Sequence, residues 1–156
     1  RPSGYQPFGK DYEKGGLIMT NAELIAEAKK ARLHAYTPYS HFQVGAALET
    51  KAGKIYHGCN IENAAYGPTN CAERTAFFKA VYEGEREFTR IAIVGGPEGQ
   101  EANATCAPCG VCRQVMREFC TPDSFEIVLD DGKGGELVYT LEQLLPESFG
   151  PEDLGK

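Results

Sequence analysis

Apolar residues first fall into a regular period between residues 21 and 35. Leu24, Ile25, Ala28, Ala31 and Ala35 recur three and four apart, which predicts a helix with one buried stripe. Thr20 and Glu23 have capping-box spacing just before it. Tyr36-Thr37-Pro38-Tyr39-Ser40 breaks the pattern, because Pro38 disfavours helix in the residue before it. Phe42 to Leu48 alternates as a strand does, Thr50 to Gly53 supplies a turn, and Lys54 to Cys59 reads as the return strand of a hairpin. Asn60 to Asn70 reads as a loop broken at Gly67-Pro68, and Cys71 to Tyr82 as a second helix. Arg90 to Val94 is short and almost wholly apolar, the mark of a strand covered on both faces. A loop to Pro108, a helix over Val111–Phe119 and a buried strand over Phe125–Leu129 follow. A glycine-rich turn then leads to a strand at Glu136–Tyr139 and a short helix at Leu141–Leu145.

Helices inserted between strands imply crossovers and a mixed sheet. The expected fold is therefore α/β: one three-layer α/β/α sandwich around a roughly five-stranded mixed sheet, spanning residues 19–156. Residues 1–18 are glycine-rich, lack periodicity and contain no signal-like apolar run, so they read as a leader or disordered extension before Met19.

Composition narrows the function. Sixteen Lys and Arg against twenty-two Asp and Glu leave a formal charge of −6, the wrong sign for tight binding to nucleic-acid polymers. No apolar run approaches the ~20 residues of a membrane span. Six cysteines are too few for a disulfide scaffold in a chain of 156 residues, and a reducing cytoplasm suits them.

Three of the cysteines form a pattern. Cys71-Ala72-Glu73 opens one predicted helix, and Cys109-Gly110-Val111-Cys112 opens another. Unpaired N–H groups and the positive end of the helix dipole favour thiolate at such positions, and thiolate is the form that binds zinc. Three sulfurs would leave one position of a tetrahedral zinc for water. Spacing alone also leaves open a closed site with Cys106 as fourth ligand. It leaves open a redox C-x-x-C as well, although that would account for neither Cys71 nor Glu73. Glu73, two positions from a ligand, can overhang the metal without binding it. Zinc lowers the pKa of bound water to about 7, and a carboxylate beside it can shuttle the released proton. Three thiolates outweigh the charge of Zn²⁺; Arg74 and Gln114 are placed to donate hydrogen bonds to sulfur and offset it, unless they simply face solvent.

Beyond the cysteines, five segments resemble the small, homotetrameric class of cytidine deaminases. They are Pro38-Tyr-Ser-His-Phe-Gln-Val-Gly-Ala, Cys59-Asn-Ile-Glu-Asn-Ala-Ala-Tyr, Cys71-Ala-Glu-Arg, Pro108-Cys-Gly-Val-Cys-Arg-Gln and Ser148-Phe-Gly-Pro-Glu-Asp-Leu. The resemblance runs from Met19 to Lys156. It implies one zinc per subunit on Cys71, Cys109 and Cys112, with Glu73 as the proton shuttle. It implies hydrogen bonds from Asn60 and Glu62 to the ribose 3′-hydroxyl, and an aromatic contact from Phe42. The backbone of Ala72, and of Ala64 from a neighbouring subunit, would meet the base. Tyr66 and Phe149 would also come from neighbours, Phe149 stacking near the pyrimidine. Without the resemblance, Asn60 and Glu62 could be an ordinary polar loop pair, and Phe42 and Phe149 core residues. The segment after Asn63 reads Ala-Ala-Tyr where many relatives have Ala-Ser-Tyr, which keeps a small residue.

The expected reaction is hydrolytic deamination of cytidine and 2′-deoxycytidine to the uridine products and ammonia, in pyrimidine salvage. Glu62 would repel a phosphate and so favour the free nucleoside. A deaminase for another aminopyrimidine would have no need of the Asn60-Ile61-Glu62 clamp. A polynucleotide editor would need a basic track. A structural zinc module would need four protein ligands. Cys59, Cys106 and Cys120 have no ligand role in this reading and are expected to pack as small hydrophobes.

Overall fold

The computed structural model describes residues 19–156; the expected leader at 1–18 lies outside the described residues. The elements run α1 (Asn21–Arg32), β1 (Phe42–Thr50), β2 (Ile55–Cys59), α2 (Ala72–Tyr82), β3 (Phe88–Pro97), α3 (Gly110–Phe119), β4 (Glu126–Asp130), β5 (Glu136–Thr140) and α4 (Leu141–Leu144). A 3-10 turn at Pro151–Leu154 was not expected from the pattern. The Thr20/Glu23 capping box forms in both directions. α1 stops at Arg32, short of Ala35, because the Tyr36 amide donates to the Asn60 carbonyl and draws the chain away.

The strands make one mixed sheet in the order β2-β1-β3-β4-β5. Only β3 and β4 pair in parallel, with α3 as the crossover between them. Alternation along the strands divides the core in two. On one face Leu24, Ile25 and Ala28 of α1 pack with Ala47, Ile55, Ala92, Val94 and Val128. On the other, α2 and α3 pack with Ala46, Leu48, Tyr56, Ile91, Ile93, Ile127 and Leu129. The apolar run of β3 is thus explained: Ile91 and Ile93 serve one layer, Ala92 and Val94 the other.

Both β2 and β3 run antiparallel to β1, so their carboxyl ends lie at the same end of the sheet, where β1 begins. Cys59 pairs opposite Gly45, and Pro97 opposite Phe42. The chain leaves β2 and β3 there and returns in α2 and α3. Ligand sites of open α/β sheets favour this end.

Gly58 fixes how closely α2 sits on the sheet. A Cβ there would lie 2.2 Å from the Ala72 carbonyl oxygen and 2.5 Å from the Ala76 nitrogen, both helix backbone. Gly58→Ala is therefore expected to displace the start of α2 and cost about 3 kcal/mol of stability. A fall in the urea unfolding midpoint, with loss of activity, checks this; an unchanged midpoint contradicts it.

Candidate active site

Cys71 and Cys109 are the N-cap residues of α2 and α3, each in extended backbone and neither using its side chain as a cap. Their thiols are therefore left to face one another, 3.8 Å apart. Cys112, one turn into α3, is 1 % exposed and completes the group. The three sulfurs all lie within 4.8 Å of one another, and no other group of three or more metal-ligating residues occurs among the described residues. Cys106 does not join it, which removes the closed four-cysteine site. The donor set fits zinc: a tetrahedron with Zn–S bonds of about 2.3 Å has sulfur–sulfur edges of about 3.8 Å.

The surroundings favour thiolate at Cys71 and raise the proton affinity of the Glu73 carboxyl. A hydrogen bond from Cys112 and another from Arg74 pull the Cys71 thiol down to about 5. Arg74 Nη2 donates to Cys71 Sγ at 3.4 Å, while its Nε is buried with no hydrogen-bond partner among the described residues. Spare donor capacity thus lies beside the sulfurs. Glu73 is 4 % exposed and its Oε2 is 3.6 Å from Cys112 Sγ. Burial pushes its carboxyl up to about 7. The group sits beside the sulfurs without being one of the three.

Asn60 and Glu62 are both drawn toward the start of β1, where they brace the backbone. Asn60 Oδ1 accepts the Val44 amide and Nδ2 donates to the Phe42 carbonyl, both at 2.9 Å. Glu62 Oε1 accepts the Tyr39 and Ser40 amides, each at 3.1 Å. Bonds from Ser40 and Tyr39 hold the Glu62 carboxyl below its usual range, so it stays ionised. A surface pocket of about 380 Å³ joins Glu62 and Tyr66 with Tyr39, Ser40, Asn63 and Thr69; no cysteine lines it. Phe42 stands on the cysteine side. A Cβ on Gly95 would lie 2.6 Å from Cys106 Sγ and 3.0 Å from Phe42 Cε1, so the bare glycine leaves room for both side chains beside β3. Burial, with the charges of Glu73 and Cys71, lifts the Cys106 thiol to about 11, which keeps it protonated.

Ala72 is fully buried at the first turn of α2. Ala64, Tyr66 and Phe149 are exposed in the single chain, Tyr66 at a positive φ of 58° and 76 % exposed. The structure differs from the sequence expectation at Gln114. Its Nε2 donates to the Phe149 carbonyl at 3.0 Å and not to a sulfur. Two residues along a helix turn a side chain by about 200°, so Gln114 points away from Cys112. Arg113, given no role by the sequence pattern, has one in the structure. Its Nε holds the Pro108 carbonyl at 2.8 Å and its Nη1 the Leu144 carbonyl at 2.6 Å, tying the loop before Cys109 to the C-terminal segment. Its position one residue after the C-x-x-C was the available signal. Of the remaining cysteines, Cys120 packs in the core, and Cys59 and Cys106 are half-buried.

The sequence profile described as "Cytidine and deoxycytidylate deaminase zinc-binding region" matches residues 19–126. The chain is 55 % identical over 132 residues to the cytidine deaminase of Sporosarcina psychrophila, covering 85 % of this chain and 93 % of that protein. It is 48 % identical over 136 residues to the cytidine deaminase of Halalkalibacterium halodurans, covering 87 % and 98 %. Among solved structures, the crystal structure of cytidine deaminase from Burkholderia pseudomallei superposes with a TM-score of 0.76 at 52 % identity, covering 84 % of this chain and all of that one.

Proposed function

We propose a reaction for this chain from the family to which it belongs, the zinc-binding cytidine and deoxycytidylate deaminases. The chain is a cytidine deaminase: it hydrolyses cytidine, and 2′-deoxycytidine with it, to the uridine nucleoside and ammonia, a reaction of pyrimidine salvage. The observation that carries the reading is the buried Glu73 carboxyl beside a three-sulfur, zinc-compatible cluster.

Cys71, Cys109 and Cys112 would hold the zinc ion. When bound, the ion supplies the acidity that makes water a nucleophile near pH 7. Glu73 takes the proton of the attacking water at its carboxylate, passes it to N3 of the ring, and then assists departure of the 4-amino group. Its burial excludes competing water and leaves it able to hold or release a proton near neutrality. Arg74 donates to Cys71 and balances the negative charge that three thiolates bring. The Ala72 backbone, at the first turn of α2, meets the base, and Phe42 packs beside the nucleoside.

Asn60 and Glu62 receive the ribose 3′-hydroxyl. Support comes from their shared place beside the first residues of β1 and from the ionised state of Glu62. Ala64, Tyr66 and Phe149 of one chain complete the site of a neighbour in a homotetramer. Their exposure in the single chain supports this role. Residues 19–156 act as one domain in the cytoplasm; among the described residues no helix is long and apolar enough to cross a membrane.

Kinetics with cytidine and 3′-deoxycytidine test the sugar clamp. The unsubstituted enzyme is expected to prefer cytidine by about tenfold to hundredfold in kcat/KM, the scale of a hydrogen bond to a charged group. Glu62→Gln keeps an oxygen for the Tyr39 and Ser40 amides and is expected to shrink that preference. An unchanged ratio would remove Glu62 from sugar recognition.

A further inference from the structure

The C-terminal segment is fastened to the helix that carries two of the cysteines. Three side chains of α3 each hold it at a different point. Arg113 takes the Leu144 carbonyl at 2.6 Å, Gln114 the Phe149 carbonyl at 3.0 Å, and Arg117 Nε donates to Ser148 Oγ at 2.8 Å. The second arm of the Arg117 guanidinium pairs with the Glu152 carboxylate. Arg117 is itself 7 % exposed, a buried charge on a helix where the hydrophobic pattern had no use for one.

Gly150 completes the arrangement. Its backbone is extended, at φ −148° and ψ −177°, so any residue could adopt it. What it lacks is room. A Cβ there would lie 2.2 Å from Arg117 Cζ, and the three nearest atoms are all guanidinium atoms. That guanidinium is forked between Ser148 and Glu152, so it cannot swing aside without breaking both contacts. The Gly150 amide is taken by Asp153 Oδ2 at 2.8 Å. The two neighbours of Phe149 are thus pinned on one side by a flat cation, while the phenyl ring stays 58 % exposed. The arrangement fixes the backbone and presents the ring.

We propose that Arg117 is a positioning residue for nucleoside binding. Its guanidinium forms a platform against which the bare face of Gly150 lies, and this sets where the Phe149 ring is offered to a pyrimidine. The proposal rests on the reading of Phe149 as a substrate contact. Neither Arg117 nor Gly150 is a hydrogen-bond partner of a cysteine sulfur, so the platform acts on substrate affinity and leaves the metal set alone.

Steady-state kinetics of the zinc-loaded enzyme with cytidine test it, alongside zinc content and melting temperature. Phe149→Ala is expected to raise KM about tenfold, the scale of a lost base–aromatic stack. Arg117→Ala and Gly150→Ala are each expected to raise KM by a similar factor, with kcat within about twofold and zinc unchanged. In a Phe149→Ala background, Arg117→Ala is expected to raise KM no further, because the ring it positions is gone. Hydrogen exchange of the amides from 148 to 155, Pro151 excepted, is expected to speed up in Arg117→Ala. If Arg117→Ala fails to fold, Gly150→Ala and its pair with Phe149→Ala read the same contact from the other side. A raised KM in Phe149→Ala with an unchanged KM in both Arg117→Ala and Gly150→Ala would overturn the platform and keep Phe149 as a contact. Additive effects in the paired variants would overturn it too. An unchanged KM in Phe149→Ala would instead overturn the role of Phe149, and the proposal with it.

Discussion

Glu73→Gln is expected to lower the rate of cytidine deamination by about 10²–10⁴-fold, the scale of a lost general acid–base, while zinc stays bound. Glutamine has the shape of glutamate and can still lie against Cys112, so the three sulfurs keep their places. It cannot accept the proton of the attacking water and return it to N3. At 4 % exposure the site offers little solvent to act as substitute. Folding gives no competing explanation. Burial already disfavours the charged carboxylate, so a neutral amide of the same size is expected to melt at the same temperature or slightly above. Zinc analysis, a melting curve and the ultraviolet change of cytidine on one sample check all three parts. Near-normal turnover with full zinc would remove Glu73 from the chemistry.

Cys112→Ala is expected to abolish both zinc retention and activity, where Cys120→Ala and Cys106→Ala keep both. Cys112 and Cys120 are both buried cysteines of the same core layer, at 1 % and 7 % exposure. Their packing losses are comparable, about 1 kcal/mol for so small a truncation. They differ in that Cys112 is one of the three sulfurs gathered at the helix ends. Two remaining protein ligands give a far weaker site than three. Cys106→Ala separately tests whether that thiol is needed for the metal, since it lies near the site without joining the group. Stoichiometric zinc in Cys112→Ala, or its loss in Cys106→Ala, would redraw the ligand set.

How far the chain could be read in advance depended on the range of the interactions involved. The capping box at Thr20 and Glu23 is complete within four residues, and it forms as expected. The thiols of Cys71 and Cys109 owe their position to helix starts that sequence marks locally, and two short motifs sufficed to place them. Gln114 shows the limit. Being near a ligand in number says nothing of direction, and helical phase carries it to the Phe149 carbonyl. Arg117 and Gly58 were invisible for a different reason. A buried arginine reads as a surface residue until its partners, more than 30 positions away, are known. A glycine reads as a weak strand former until a helix backbone is found pressed against it. The short 3-10 turn after Gly150 has no hydrophobic period, so only its closing contacts define it.

The 3.8 Å approach of Cys71 to Cys109 also has a consequence for the chain as a polymer. These residues are 38 positions apart, and the stretch between them contains the whole of α2 and β3. An ion gripping both sulfurs would close that stretch into a ring for as long as it is bound, and by binding the folded chain it would shift the balance against unfolding. Unlike a disulfide, the closure depends on metal supply rather than on oxidation. A metal held there would therefore both prepare the catalyst and set how readily the middle of the chain comes undone, and its scarcity would weaken both together.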